Sequence, residues 1–257
     1  MKTDLAEISP ALQKAIIEKE DKWFYYHPGI NPVAIARALV VNLFSGHRSS
    51  GASTITMQIA KALEPKSRTY GHKLIEVFRA FQLEWKYSKK EILQLYLNLV
   101  PYGGNIEGVK SAAVLYFNKN PDHLSLAELV ALSVIPNRPS SLVMGKNNDK
   151  ILAARNKWLL RFKADKVFPD NEINDALDEP LNASRLPAPK MIPHLAYKLT
   201  RNGQEISPTY INLNAQLKTE KLVKDYVRTL GPSNIRNAAV VVIDNQLHRV
   251  ITYVGSA

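Results

Sequence analysis

The sequence predicts a mainly α-helical protein that ends in a short β-containing tail. Two observations predict the helices: apolar residues recur at helical spacing almost throughout from about residue 8 to 163, and Ser, Thr and Asn caps and proline stops punctuate the runs. A third predicts the tail. Prolines at 169, 180, 187, 189 and 193 mark an exit from the helical region, and a strand–turn–strand pattern follows at 238–254. At 257 residues the chain can bury one sizeable core, or a main domain plus a smaller piece.

The elements follow in order. Leu12 and Ile16 stand eight and four residues before Glu20, so the first helix carries its apolar stripe towards Glu20. It closes on Asp21, an aromatic cluster (Trp23, Phe24, Tyr25, Tyr26) and a His27-Pro28-Gly29 stop. Asn31-Pro32 reads as an N-cap with proline at the first helical position, Val33, Ala36, Val40 and Leu43 as one apolar face, and Gly46 as the stop. Ser53-Thr54 opens the next helix, which ends at Leu63-Glu64-Pro65. Leu74, Val77, Phe78, Phe81 and Trp85 mark what reads as the buried side of another. Ser88 with Glu91 and Ser125 with Glu128 are capping boxes, the second opening a very apolar helix that stops at Pro136. In the tail, 214–228 suits one helix, 238–243 a strand, 244–246 a turn and 250–254 a returning strand. A hairpin alone is marginally stable, so the tail reads as the opening of a further domain.

Composition excludes more than it selects. With no cysteine there is neither disulfide nor thiolate metal site. A net charge of +11 favours a polyanionic partner: nucleic acid, an anionic membrane surface or a phosphorylated substrate. Zinc-finger spacing, RNA-binding aromatic signatures and long basic arms are all missing, which leaves nucleic acid resting on charge alone. No apolar run is long enough to span a bilayer, and no signal peptide is visible.

Three segments carry chemistry, and each has a bland alternative. A carboxylate at Glu20 that continues an apolar stripe beside Trp23 and Phe24 is a candidate general base with raised proton affinity; the alternative is an acidic, solvated helix end. In the second, Thr54, Gln58 and Lys61 form a polar stripe opposite Ile55, Ile59 and Ala62, with Gly51 freeing the backbone before a helix N-terminus. Such a stripe suits sugar hydroxyls followed by a phosphate, or is an ordinary amphipathic helix. In the third, Lys73 and Glu76 lie one turn apart and Arg68 precedes them, able to clamp a diphosphate or to make a surface ion pair.

Together and in this order, the segments resemble the peptidoglycan glycosyltransferase family 51 domain of class A penicillin-binding proteins. That family's first motif is E-D-x-x-F-x-x-H-x-G, matched at Glu20, Asp21, Phe24, His27 and Gly29. Its second resembles residues 51–58, its third Lys73 to Glu76 with the preceding arginine, its fourth Tyr96-Leu97-Asn98 through Tyr102-Gly103 and Gly108, and its fifth 126–128 through Pro136 and Pro139-Ser140. Met57, His72 and Ile75 depart from the commonest pattern, and the Thr56-Met57-Gln58 and Pro101 to Gly104 stretches look like the C-type branch.

The resemblance implies a lysozyme-like helical glycosyltransferase domain over 1–165, a proline-containing connection over 166–206, and an incomplete start of a linker and transpeptidase region over 207–257. Without the Ser-x-x-Lys nucleophile of that region, transpeptidation is not expected. It implies polymerisation of lipid II with release of undecaprenyl diphosphate, at the extracytoplasmic face of the inner membrane, on a chain whose anchor is left off. Glu20 would be the base and Glu76 the second carboxylate, orienting cations or holding Mg2+ or another divalent ion; no organic cofactor is implied. Asp21, Phe24, His27, Ser53, Thr54, Thr56, Gln58, Lys61, Arg68, Lys73, Asn98 and Gly103 would serve substrate binding, with Asp21 and His27 setting the geometry around Glu20. Partners would be lipid II, the growing glycan, the membrane surface and other wall-synthesis proteins. A lysozyme-like hydrolase and a catalytically silent wall-binding domain are the alternatives.

Overall fold

A computed structural model describes residues 1–37, 53–65, 69–187, 192–201 and 208–256. They fall into two compact units, Met1–Pro187 and Ala188–Ala257.

The first unit is helical. Helix α1 (Pro10–Glu20) starts where Ser9 Oγ accepts the Leu12 N–H at 3.2 Å, and buries Leu12, Ala15 and Ile16. Residues 32–37 are helical as expected, with Asn31 Oδ1 accepting the Ala34 N–H at 2.9 Å. Val33 and Ala36 are exposed there, so they do not form the apolar packing face that their spacing suggested; Val40, Leu43 and Gly46 lie outside the described residues. Helix α2 (Ile55–Leu63) is capped by Thr54, and α3 spans Tyr70–Lys86. Helices α4 (Lys89–Leu99) and α6 (Leu126–Val134) open on complete capping boxes, Ser88 with Glu91 and Ser125 with Glu128. Between them lies α5 (Val109–Phe117), and α7 (Asn148–Ala164) and α8 (Asp170–Asp178) follow.

Helix α6 is apolar all round because it has packing partners on several sides: α1, α7 and α8 lie against it. Leu129 to Val134 are all buried, each large side chain contributing roughly 2 kcal/mol of transfer free energy. This centre fixes the end of α1, and with it Glu20. Ile173 and Ala176 of α8 and the preceding Val167 and Phe168 belong to the same core.

Helix α3 reverses one expectation. Leu74, Phe78, Phe81 and Trp85 are exposed, Trp85 at 95%, so they are not its buried side. The packed face is the smaller one, with Ala80 fully buried and Leu83 and Glu84 half-buried towards α2 and α4. Small residues win that face because Gly29 comes up against it: at φ +89°, a Cβ on Gly29 would lie 3.0 Å from the Ala80 carbonyl oxygen.

The second unit has helices α9 (Pro193–Thr200) and α10 (Leu213–Thr229) and an antiparallel hairpin, β1 (Val240–Asp244) and β2 (Arg249–Val254). The hairpin is not isolated. Gln216 on α10 donates to the Tyr253 carbonyl (3.1 Å) and accepts the Tyr253 N–H (2.8 Å), so its side-chain amide completes the edge of β2.

Candidate active site

Adjacent carboxylates at the end of α1 point to different jobs. Asp21 faces inward, its side chain 2% exposed. Both of its oxygens lie 2.9 Å from His27 Nε2, and Oδ2 also accepts the Ile55 N–H of the first turn of α2 at 3.1 Å. An anion at a helix N-terminus is favoured by the unpaired N–H groups and the macrodipole. His27 Nδ1 accepts the Gly29 N–H at 3.2 Å, so the tautomer carrying hydrogen on Nε2 satisfies the network. Thr54 Oγ1 donates to the Gly29 carbonyl at 2.6 Å. Asp21, His27, Gly29 and Thr54 therefore tie the first two motifs into one knot.

A second tie closes it from below. Lys89 Nζ donates to the His27 carbonyl (2.6 Å) and to Glu84 (2.7 Å), with its charge 4.5 Å from the centre of the Phe24 ring. Thr56 Oγ1 donates to the same Glu84 oxygen at 2.6 Å. Phe24 and Thr56 are fully buried, so both support the loop instead of offering a surface to substrate.

Glu20 stands on the other side of this knot, its side chain 7% exposed. Gln58 Nε2 donates to its Oε2 at 3.1 Å, and Lys19 Nζ donates to its Oε1. The Tyr96 hydroxyl reaches Gln58 Oε1 at 3.4 Å, while the buried Tyr102 hydroxyl has no hydrogen-bond partner among the described residues. Burial first, and then the negative charge of Glu20, push both tyrosine hydroxyls well above the usual phenol range, so both stay protonated. The surroundings of Glu20 are thus an ammonium, an amide and two phenols. Trp23, expected beside it, is 55% exposed.

The cationic side is open. Lys73 Nζ donates to Glu76 (2.6 Å) and to Ser53 Oγ (2.8 Å), joining the third motif to the residue before the α2 cap. Lys61 is exposed on α2, and Arg68 lies outside the described residues, as does Gly51. Ser53 precedes the α2 cap and Gln58 lies within α2, so the Lys73 contact and the Glu20 contact fall at separate points of one segment.

Two expected contacts are used elsewhere. Asn98 Oδ1 accepts the Thr3 N–H and its Nδ2 donates to the Thr3 carbonyl, both at 2.9 Å, so it anchors the N-terminal segment. Gly103 is buried at φ +98°, where a Cβ would lie 3.0 Å from the Pro139 carbonyl oxygen; it is a turn residue. Met57 packs in the interior. As for a metal, Glu76 is already engaged by Lys73, and no cluster of three His, Asp or Glu side chains able to hold an ion occurs among the described residues. These residues do not build a divalent-metal cage of their own.

The site thus sets a buried carboxylate at the end of α1 against an amide of α2, with exposed lysines on α2 and α3. The chain belongs to the Transglycosylase family, whose pattern it matches over residues 1–163. It is 37% identical to penicillin-binding protein 1C of Escherichia coli (strain K12) over 98% of this chain and 33% of that protein. It is 41% identical to penicillin-binding protein 1A of the same strain over 70% of this chain and 21% of that one, and 37% identical to the 1A protein of Neisseria gonorrhoeae over 71% and 23%. The chain spans about a third of the length of the 1C relative and less of the others.

Sequence reasoning missed Lys19. The run Glu18-Lys19-Glu20 looks like a solvated face, yet Lys19 lies three residues after Ile16 and four after Ala15, and so continues the buried stripe of α1.

Proposed function

We propose that this domain polymerises lipid II into glycan strands in peptidoglycan synthesis, releasing undecaprenyl diphosphate, with Glu20 as general base. The observation that carries the reading is how α2 and its lead-in are shared: Gln58, midway along α2, holds Glu20, and Ser53, just before the Thr54 cap, meets Lys73. A base and a cation then flank one substrate. The acceptor's 4-hydroxyl loses its proton to Glu20 as its oxygen bonds the donor's anomeric carbon, with inversion. The bond from that carbon to the diphosphate breaks, and its electron pair leaves with the diphosphate. Lys73, Lys61 and Arg68 stabilise the charge that develops there, and Glu76 orients Lys73. A divalent ion, when bound, would neutralise diphosphate charge, taking most of its ligands from substrate and water.

A lipid-linked substrate requires the domain to work at a membrane surface. The exposed stripe Leu74, Phe78, Phe81 and Trp85 on α3 and the +11 charge support that placement, in the cell envelope. No described helix is long and apolar enough to cross a membrane.

The test is polymerisation of purified lipid II by this chain, with and without Mg2+, with moenomycin, and with polymeric glycan as the alternative substrate. Polymer from lipid II is expected, and Glu20→Gln should lower the rate about 10²- to 10⁴-fold, the usual contribution of a positioned general base. Cleavage of polymeric glycan without lipid II turnover, or a Glu20→Gln variant of near-normal rate, would refute the assignment.

A further inference from the structure

We infer that Lys19 is a positioning residue for Glu20, a buried ammonium that holds the carboxylate in place from the core side. The inference deepens the proposed function and rests on Glu20 being the base.

Lys19 is an unexpected residue to bury. Its side chain is 1% exposed, and its charge lies 5.6 Å from the centre of the Trp158 ring on α7. A buried ammonium is strongly unfavourable unless it is paired. The carboxylates nearby in sequence or space are otherwise engaged. Asp21 is taken by His27 and the Ile55 N–H, Glu18 lies by Lys22, and Asp165 lies by Lys22 and Arg161. Arg161, the other cation at Trp158, sits 4.9 Å from that ring. The groups facing Glu20 from α4 and the loop after it are Tyr96 and Tyr102, both protonated, and from α2 the neutral Gln58. Among the described residues, the counter-charge this packing sets against Glu20 is Lys19.

The geometry is a two-point hold. Lys19 engages Oε1 and Gln58 engages Oε2, from different elements, so neither carboxylate oxygen can swing away without breaking a bond. Each oxygen offers about two lone-pair sites, which leaves Oε2 able to accept the acceptor's proton. The Trp158 ring lies against the Lys19 ammonium.

Steady-state lipid II polymerisation by the 257-residue chain and its Lys19 variants tests this. Lys19→Met should lower kcat at least about tenfold with KM within about twofold, since a displaced catalytic group costs up to about 100-fold. Lys19→Arg should keep most of the rate. Lys19→Ala should regain activity with propylammonium and not with 1-propanol, a readout that depends on charge and that a packing role would not give. If Lys19→Met does not fold, the arginine variant and the amine rescue decide. A Lys19→Met rate near that of the unaltered chain overturns the inference, and so does a loss that neither arginine nor the amine restores. Lys19→Met at normal rate with Glu20→Gln inactive overturns the role of Lys19 alone, whereas an active Glu20→Gln overturns the base assignment and this inference with it.

Discussion

The knot at the end of α1 and the opening turns of α3 each hold an acid paired with a base, yet they are built in opposite ways. Asp21 and His27 have side chains 2% and 6% exposed, and Asp21 makes three contacts from two elements. Lys73 and Glu76 are 43% and 20% exposed and sit three residues apart on one helix. The first arrangement is part of the fold, tying the end of α1 to the start of α2. The second is close to a surface ion pair, worth little to stability, and its lysine is available to an anion from outside. On the proposed mechanism, the fold fixes the base beforehand and leaves the leaving-group side to respond to the ligand.

The largest expected effect separates these roles by stability. Asp21→Ala leaves the His27 Nε2–H and the Ile55 N–H without their acceptor, and should lower unfolding free energy by about 2–4 kcal/mol, since each buried donor left unpaired costs roughly 1–3 kcal/mol. Denaturant unfolding monitored by circular dichroism measures it. A change within about 0.5 kcal/mol, as at an ordinary surface position, would show that the knot does not hold the fold together.

Much of the frame of this comparison is legible in sequence, because caps and spacing are local. Ser88 with Glu91, Ser125 with Glu128 and the Thr54 cap are set by neighbours three residues away. What sequence does not show is which partner a side chain meets. The stripe from Leu74 to Trp85 tells that α3 has an apolar side; that Ala80 and Glu84 pack instead depends on Gly29, about fifty residues earlier. Asn98 looks like a sugar ligand until Thr3, 95 residues away, occupies both ends of its amide. Thr54 and Gln58, read from sequence as one polar stripe, both bond the first motif, a pairing their spacing does not show.

On the open side the effect should appear in rate and not in stability. Lys73→Met removes the ammonium that links Ser53 and Glu76, and should lower lipid II turnover by about 100-fold, comparable to loss of one preorganised electrostatic donor. Its unfolding free energy should stay within about 0.5 kcal/mol, since an exposed pair contributes little. Turnover and denaturant unfolding on the same variant check both halves. A loss of stability matching that of Asp21→Ala would make the two regions alike and remove the contrast.

The smallest effect concerns the outer face of α3, which begins at this open side and carries exposed apolar residues along its length. Leu74, Phe78, Phe81 and Trp85 recur at intervals of four, three and four, so they line one face, away from Ala80. Such a face gains nothing from folding, but it gains about 1.5–3 kcal/mol per large side chain on entering an apolar medium. Arg79, paired with Glu64, and Lys86 lie on the same helix, and such cations near an apolar face favour anionic headgroups. Phe78→Ser and Trp85→Ser should therefore each weaken sedimentation with anionic phospholipid vesicles by roughly tenfold, about 1.4 kcal/mol, while leaving unfolding free energy unchanged. The same changes should spare turnover of a short-chain, water-soluble lipid II analogue, because the knot, Glu20 and Lys73 are untouched. Equal vesicle binding by the unaltered chain and both variants would detach this face from the membrane and leave its exposure to be met by another surface.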